Sequence, residues 1–301
     1  MNKKLSLTIG IPAFNEEANI YRLLQSLFSQ NQANFKLDKI ILVSDGSTDL
    51  TVNGAKKIKN KKLIILENKK RLGLNSTQNR IISQSSSDIL IIFNADILIK
   101  NKMTINRLIS HFYRQNKIGI VGARTEIIQP NNFVGKILAN SHNFKQSVYK
   151  KYNKSDNVYL CHGAGRAFSK EFYKKLKWPE NCPEDAYSYF SCIKSGFKFH
   201  YASDAKVYFL PSTNLSDYIK QSTRFFSGKK AIEKFFNTKV IKNRYRLPFF
   251  LTLSILIIYF KKNPVLTLTY ILVIPFVQIL SQIKKVDQSK YEISVSSKNF
   301  N

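Results

Sequence analysis

Cysteine, histidine and acidic residues are all scarce in this chain. Its 301 residues include three cysteines and four histidines. The cysteines form no Cys-x-x-Cys pair and are odd in number, which indicates a reducing compartment and no disulfide framework. The few histidines are scattered, which argues against a zinc site. An apolar strand pattern starts almost at the N-terminus, and no signal-peptide core is recognisable there.

The scarcity of acidic residues leaves a large positive charge. The chain has 48 Lys and Arg against 19 Asp and Glu, a formal net charge of +29. Such an excess is typical of chains that bind nucleic acid, an anionic membrane surface or a phosphate-bearing ligand. A general abundance of Lys and Asn, as low-GC coding would give, explains the dispersed lysines equally well. Hydrophobic residues make up 44%, which allows a sizeable core and excludes a disordered chain.

The first half of the chain alternates between strand and helix patterns. Apolar runs of strand length occur at 5–14, 39–43, 62–66, 88–93 and 118–121. Between the first two lies an amphipathic helix pattern at 16–30, for which Asn15 is a plausible N-cap. This alternation predicts an α/β fold with a mainly parallel sheet that is covered by helices on both faces.

Polar turns follow three of the predicted strands. They read PAFNE at 12–16, SDGSTD at 44–49 and NAD at 94–96. Ligands of such sheets bind at the carboxyl ends of the strands, so we expect these turns to line one cleft. A carboxylate at the end of a buried strand is costly unless a cation meets it. Asp96 is therefore a candidate ligand for Mg²⁺ or Mn²⁺, with a turn-capping role as the alternative.

The remaining polar patterns each allow two interpretations. Asp45 could accept hydrogen bonds from a nucleoside, or it could simply form a turn. The basic loop 69–73 could meet phosphate or be a solvated charge run. The Glu184–Asp185 pair could supply a general base, although acidic residues at a helix start are common. Gln221 and Arg224 share a face of the basic amphipathic helix at 215–236, where Arg224 could bind a diphosphate or lie on the surface.

The second half is less regular and ends in two apolar segments. The pattern predicts a helix at 133–152 and a hairpin through 197–209. Residues 247–260 and 264–283 carry no charge, and the second segment is long enough to span a bilayer. The pair could form a helical hairpin that associates with a membrane, or a buried soluble helix pair. Lysine and arginine lie before, between and after the segments, so they fix no orientation.

Taken together and in this order, these motifs resemble glycosyltransferase family 2, the inverting nucleotide-sugar enzymes with a GT-A fold. The resemblance covers about residues 5–230. The motifs that carry it are IPAFNEE, VSDGSTDLT, NKKRLGLNSTQNRII, FNAD, GAGRAFSKEFY, PEDAYSYFSCIKSGFKFHYASDAKVYF and QSTRF. Their joint occurrence is specific, whereas no single motif is.

The resemblance implies a role for each matching residue. Asp96 would hold a divalent metal, Mn²⁺ or Mg²⁺. Asp185 would be the catalytic base with Glu184 beside it, and Gln221 and Arg224 would lie near the acceptor and the diphosphate. The donor nucleotide would be bound by Pro12, Ala13, Asn15, Glu16, Asp45, Gly73, Asn94 and Ala95.

Two positions depart from the family pattern. Asn94 stands where the first Asp of the DxD motif is usual, so one charge near the metal is lost. Phe225 replaces the Trp of the QxxRW motif, which weakens the case for a processive polysaccharide synthase. A non-catalytic nucleotide-sugar-binding protein is the other alternative. Nucleic acid is a disfavoured partner, because an acidic rim would repel its phosphates.

The sequence thus predicts a transferase that moves a sugar to a membrane-proximal or lipid-linked glycan acceptor. Its expected parts are a nucleotide-binding half at 1–125, an acceptor half at 126–240, a membrane-associating helical hairpin at 241–285 and a polar tail at 286–301. The enzyme is expected to be membrane-associated, with its catalytic domain in the cytoplasm.

Overall fold

Seven strands make one sheet in the computed structural model, which describes residues 4–114 and 117–283. The strands are β1 (Leu5–Ala13), β2 (Phe35–Ser44), β3 (Leu63–Glu67), β4 (Ile89–Phe93), β5 (Ile118–Ile127), β6 (Gly165–Ser169) and β7 (Lys198–Phe209). The helices of the first half are α1 (Ile20–Phe28), α2 (Thr51–Lys56), α3 (Leu74–Ser83), α4 (Thr104–Arg114) and α5 (Phe133–Lys151). Those of the second half are α6 (Lys170–Tyr173), α7 (Glu184–Lys194), α8 (Leu215–Ile232), α9 (Thr238–Tyr245), α10 (Phe249–Lys262) and α11 (Pro264–Ile283).

The sheet has the order β3-β2-β1-β4-β6-β5-β7. The neighbours β1 and β2, β2 and β3, β1 and β4, and β5 and β7 are parallel. Strand β6 runs antiparallel to both β4 and β5. The predicted α/β fold with a mainly parallel sheet is therefore confirmed.

Alternate side chains of the central strands enter two different cores. In β2, Ile40 and Leu42 pack on the face that carries α1 and α4, whereas Ile41 and Val43 pack on the opposite face. All four side chains are fully buried. Burial of each such side chain stabilises the fold by roughly 1.5–3 kcal/mol. Because side chains on both faces of the strand are buried, the sequence shows a continuous apolar run rather than an alternating pattern.

The first helix begins later than the sequence pattern predicted. Its N-cap residue is Asn19, not Asn15, so the assignment of Asn15 as an N-cap is wrong. Asn15 has a positive φ of 53°, and its Oδ1 accepts a hydrogen bond from the backbone N of Thr48 at 2.8 Å. A long-range contact to the next polar turn thus replaces the local cap.

The predicted hairpin through 197–209 is also wrong. This segment is the single strand β7, parallel to β5 along its length. Its register skips between Ala202, opposite Ala123, and Lys206, opposite Arg124. Residues 203–205 therefore form a bulge. The polar Ser203 and Asp204 resemble a turn in the sequence, but the chain does not reverse there.

The two apolar C-terminal segments form adjacent helices that pack on the body of the protein. Helices α10 and α11 contact each other and α5, and α11 also contacts α8. The link between them is held to α5, because Asn263 Nδ2 donates to Asn140 Oδ1 at 3.2 Å and Asn140 Nδ2 donates to Thr267 Oγ1 at 3.1 Å. Among residues 4–114 and 117–283, no helix has the length and apolar character needed to cross a membrane. The predicted polar tail at 286–301 lies outside the described residues.

Candidate active site

The turns that follow β1 and β2 are joined by hydrogen bonds and form one rim. Besides the bond between Thr48 and Asn15, the backbone N of Glu16 donates to Thr51 Oγ1 at 2.7 Å. The backbone N of Asp45 donates to the carbonyl of Ala13 at 2.8 Å. The predicted nucleotide-binding residues of the two turns therefore lie together, as the parallel strand ends require.

Asp45 is buried within this rim, with 4% of its surface exposed. Its carboxylate accepts hydrogen bonds from Asn68 Nδ2 at 2.8 Å, from Leu72 N at 2.9 Å and from Gly73 N at 2.8 Å. Gly73 has a φ of 96°, a conformation that favours glycine. Asp45 thus orders the basic loop before α3, and three of its roughly four acceptor positions are already used.

A cavity of about 670 Å³ lies beside this rim. Six of the predicted site residues, from three separate parts of the chain, line it: Asn94, Asp96, Glu184, Asp185, Gln221 and Arg224. The other predicted residues are not in its lining, namely Pro12, Ala13, Asn15, Glu16, Asp45, Gly73 and Ala95. Leu74, next to Gly73, does line it and so connects the rim to the cavity.

Glu184 is a partly buried acidic group of the cavity. Burial raises the pKa of its carboxyl, and the neighbouring Asp185 raises it further, while Arg166 and Arg224 oppose the shift. A Cβ atom on Gly163 would lie 2.7 Å from Glu184 Oε1 and 3.5 Å from Asn94 Nδ2. A larger residue at position 163 would therefore displace the end of the Glu184 side chain, which now lies close to the loop before β6.

A buried arginine holds the start of α7. Arg166 is completely buried, and its NH1 donates to the Glu184 carbonyl at 3.0 Å and to Ser188 Oγ at 2.9 Å. Trp178 Nε1 donates to the same carbonyl at 2.9 Å. Sequence reasoning missed Arg166, although a lone arginine in the otherwise small and apolar stretch GRAFS was a usable signal.

Two neutral histidines, His142 and His162, also line the cavity, and neither was predicted from the sequence. Burial lowers the pKa of His142 to about 3, with His162 and Lys145 adding to the effect. Burial, followed by the charge of Arg166, lowers the pKa of His162 to about 4. The scattered histidines gave no motif, but His142 and Gln146 are four residues apart, and this helical spacing was available from the sequence.

Aromatic rings and lysines complete the lining of the cavity. Tyr149 and Tyr159 stack in parallel with their centroids 4.4 Å apart. The Lys229 ammonium lies 5.2 Å from the ring centroid of Tyr245. With Arg224 and Lys145, Lys229 brings positive charge into a cavity that also holds three carboxylates. The cavity thus has the charged groups to bind both a cation and an anionic ligand.

The oxygen chemistry of this cavity fits a hard divalent cation. Asp96 supplies a carboxylate and Asn94 an amide oxygen, which are the donor types that Mg²⁺ and Mn²⁺ prefer. In the part of the chain that the structure describes, no cluster of three or more His, Cys, Asp or Glu side chains could hold a metal alone. Ligand oxygens from a phosphate-bearing molecule would therefore have to complete the coordination.

The model of the family described as glycosyl transferase family 2 matches residues 8–177. The match ends before Glu184, so the later part of the predicted acceptor half lies beyond it. An uncharacterised glycosyltransferase of Haemophilus influenzae is 27% identical over 124 residues, which cover 40% of this chain and 37% of the relative. The chain thus spans little more than a third of that relative.

Solved structures share the fold at low sequence identity. The mannosyltransferase PcManGT of Pyrobaculum calidifontis, in complex with GDP-Man and Mn²⁺, is 16% identical with a TM-score of 0.62, and the match covers 95% of this chain and 78% of that one. Residues 1–349 of S. aureus TarS with UDP-GlcNAc are 17% identical with a TM-score of 0.54, covering 74% of this chain and 66% of that one. Glucosyl-3-phosphoglycerate synthase of Mycobacterium tuberculosis, in complex with Mn²⁺, UDP-Glc and phosphoglyceric acid, is 14% identical with a TM-score of 0.54. The match covers 78% of this chain and 82% of that one.

These matches agree with the mainly parallel α/β sheet of this chain. The family model covers more than half of the chain, so the chain belongs to glycosyltransferase family 2.

Proposed function

We propose that this protein is an inverting glycosyltransferase. It would move a sugar from a nucleotide-diphospho-sugar to a hydroxyl of a membrane-proximal or lipid-linked glycan, with the help of a divalent metal. The observation that carries the proposal is the convergence of Asp96, Asp185 and Arg224 on one cavity. These three side chains match the three tasks of the reaction, which are metal binding, proton removal and stabilisation of the leaving group.

Asp96 and Asn94 are the residues that would hold Mn²⁺ or Mg²⁺. Their oxygens suit either ion. The bound ion would neutralise charge on the diphosphate of the donor. Asp45, Gly73 and the turn at Asn15 would bind the nucleoside, beside the part of the cavity that Leu74 lines.

Asp185 would act as the general base. Its carboxylate would take the proton of the acceptor hydroxyl, and the hydroxyl oxygen would attack the anomeric carbon in line with the leaving diphosphate. The bond between this carbon and the diphosphate oxygen breaks on the opposite face, so the configuration inverts. The Arg224 guanidinium would donate hydrogen bonds to the departing diphosphate. Arg166 and Trp178 fix the backbone of Glu184 and thereby the position of Asp185.

A donor screen tests the proposal. The purified full chain should release nucleoside diphosphate from at least one of GDP-Man, UDP-GlcNAc, UDP-Glc and dTDP-sugars in the presence of Mn²⁺. We expect EDTA to abolish this release and excess Mn²⁺ or Mg²⁺ to restore it, because without the cation the Asp96 carboxylate would repel the diphosphate. Nucleotide release should be followed by a coupled enzyme assay.

Two results would contradict the proposal in different ways. Tight donor binding without any turnover would identify a non-catalytic nucleotide-sugar-binding protein. Turnover that is unaffected by EDTA would remove the metal from the mechanism.

The apolar surface of α10 and α11 supports a membrane-associated position. Phe249, Phe250 and Leu272 are 70%, 82% and 69% exposed. Lys261 and Lys262 end α10, and Arg246 precedes it. Apolar side chains next to clustered basic ones complement the interface of an anionic bilayer. We infer that this face lies on such a bilayer and brings the cavity to its acceptor, with the catalytic domain in the cytoplasm.

Vesicle binding tests this inference. We expect the protein to sediment with vesicles that contain phosphatidylglycerol and much less with pure phosphatidylcholine vesicles. The double variant Phe249→Ser/Phe250→Ser should lower the partition coefficient by about tenfold or more, because a single buried Phe contributes roughly 1.5–3 kcal/mol. The matched control is Phe133→Ser, which changes an exposed Phe at the start of α5. Equal loss in the control, or no loss in the double variant, would contradict the inference.

A further inference from the structure

We propose that His142 and Gln146 form an acceptor subsite that binds the hydroxyl groups of an uncharged sugar ring. This inference rests on the proposed transferase function and names the class of acceptor for the same cavity. Both residues lie on α5, outside the segments whose motifs resemble the family, and both line the cavity that also contains Asp185. Because they are four residues apart on a helix, their side chains share one face.

Gln146 has its donor groups used and its acceptor unused. Its Nε2 donates to Thr125 Oγ1 at 3.2 Å and lies 2.9 Å from His162 Nε2. Its Oε1 is buried and has no hydrogen-bond partner among the residues that the structure describes. The two contacts of Nε2 fix the orientation of the amide, so Oε1 is left as an acceptor without a donor.

His142 presents a second unused acceptor. Its ring makes a hydrogen bond to the backbone of Thr125, and within the described part of the chain its buried Nε2 has no partner. Burial keeps the imidazole neutral, since it lowers the pKa to about 3. The nitrogen bonded to Thr125 then carries the proton, and Nε2 offers only a lone pair.

Buried acceptors on two residues that line one cavity favour a ligand that brings hydrogen-bond donors. Native proteins rarely leave such groups unpaired, because an unpaired buried acceptor destabilises the fold. Sugar hydroxyl groups can donate to both acceptors, whereas an ionised phosphate or carboxylate offers only lone pairs and would be repelled by them. The stacked rings of Tyr149 and Tyr159 line the same cavity and offer apolar surface to a sugar ring.

Saturation-transfer NMR on the full chain tests the subsite without any need for turnover. The probes are neutral methyl glycosides of mannose, glucose and N-acetylglucosamine, with 3-phosphoglycerate as the anionic probe. We expect at least one glycoside to bind, and we expect His142→Phe to weaken its binding by about three- to tenfold, which is the range for one lost hydrogen bond. His142→Gln keeps an acceptor and should bind more tightly than His142→Phe. The control Lys136→Ala changes an exposed residue of α5 outside the cavity and should bind as wild type.

The donor screen separates the two proposals. If wild type releases nucleotide but no glycoside binds, or if His142→Phe binds as wild type, the subsite proposal is overturned and the transferase proposal stands. Binding of phosphoglycerate alone would likewise overturn it. Glycoside binding that depends on His142, in a protein that turns over no donor, would support the subsite and overturn the transferase function.

Discussion

The Asp185→Asn variant should lose sugar transfer, with kcat lowered by about 10²- to 10⁴-fold, which is the contribution of a general base. An amide cannot take the proton of the acceptor hydroxyl. The fold should survive, because the backbone N of Ala186 donates to Asp185 Oδ1 at 2.6 Å and an asparagine Oδ1 can accept the same bond. Steady-state kinetics should show equal falls in kcat and kcat/KM, the pattern of an interaction made only in the transition state.

Donor binding should be nearly unchanged in this variant, as calorimetry with the donor's nucleoside diphosphate and Mn²⁺ can measure. The matched control is Glu180→Gln, which removes an exposed carboxylate from the loop before α7 and should transfer sugar at the wild-type rate. If Asp185→Asn retains a near wild-type rate, the base has been assigned to the wrong residue. Glu184→Gln would then test the neighbouring carboxyl.

The second large effect concerns the metal. The Asp96→Asn variant should bind Mn²⁺ and nucleoside diphosphate together at least about 10²-fold more weakly, because even partners in the outer shell of a metal site contribute 10- to 100-fold to affinity. The change removes the ligand carboxylate while preserving the size of the side chain. Calorimetric titration of the nucleoside diphosphate, with and without Mn²⁺, measures the effect. A loss of affinity that is equal with and without metal would contradict the assignment of Asp96.

The reverse change, Asn94→Asp, tests the same site from the other side. It restores the charge that the family pattern usually has at this position. Asn94 and Glu184 both approach Gly163, so a new carboxylate there should raise the pKa of Glu184 further and destabilise the metal-free protein. Bound Mn²⁺ should offset this repulsion, and the rise in Tm on adding Mn²⁺ should be larger than in wild type. An equal rise in both proteins would mean that position 94 lies away from the metal.

The central strands could be predicted because their signal is local. The run before Asn94 corresponds to β4, in which every residue is buried, and its apolar character reflects a strand covered on both faces. The bulge in β7 could not be predicted, since Ser203 and Asp204 favour a turn locally and only pairing with β5 keeps the strand straight. The prediction of Asn15 as the N-cap of α1 was wrong for a similar reason, because Asn15 accepts a hydrogen bond from Thr48 rather than from its own helix.

The candidate site was likewise predictable only where the signal is local. The polar turns at Asp45 and Asp96 could be placed at one sheet edge from the sequence, because parallel strands end at the same edge. The sequence could not predict that Asp45 lies in the rim whereas Asp96 lines the cavity, because the carboxylate of Asp45 turns towards Leu72 and Gly73. Glu184 and Arg224 join Asp96 only through the packing of α7 and α8.

By itself the sequence determined the α/β alternation, the family and the residue types that could bind a metal and remove a proton, because each of these depends on short-range periodicity and spacing. Only the tertiary structure decided that Arg166 holds the start of α7, and that His142 and Gln146, each with a buried acceptor lacking a partner in the described part of the chain, line the cavity. Such contacts join residues that are distant in the chain, and their energies depend on burial, which no local pattern encodes.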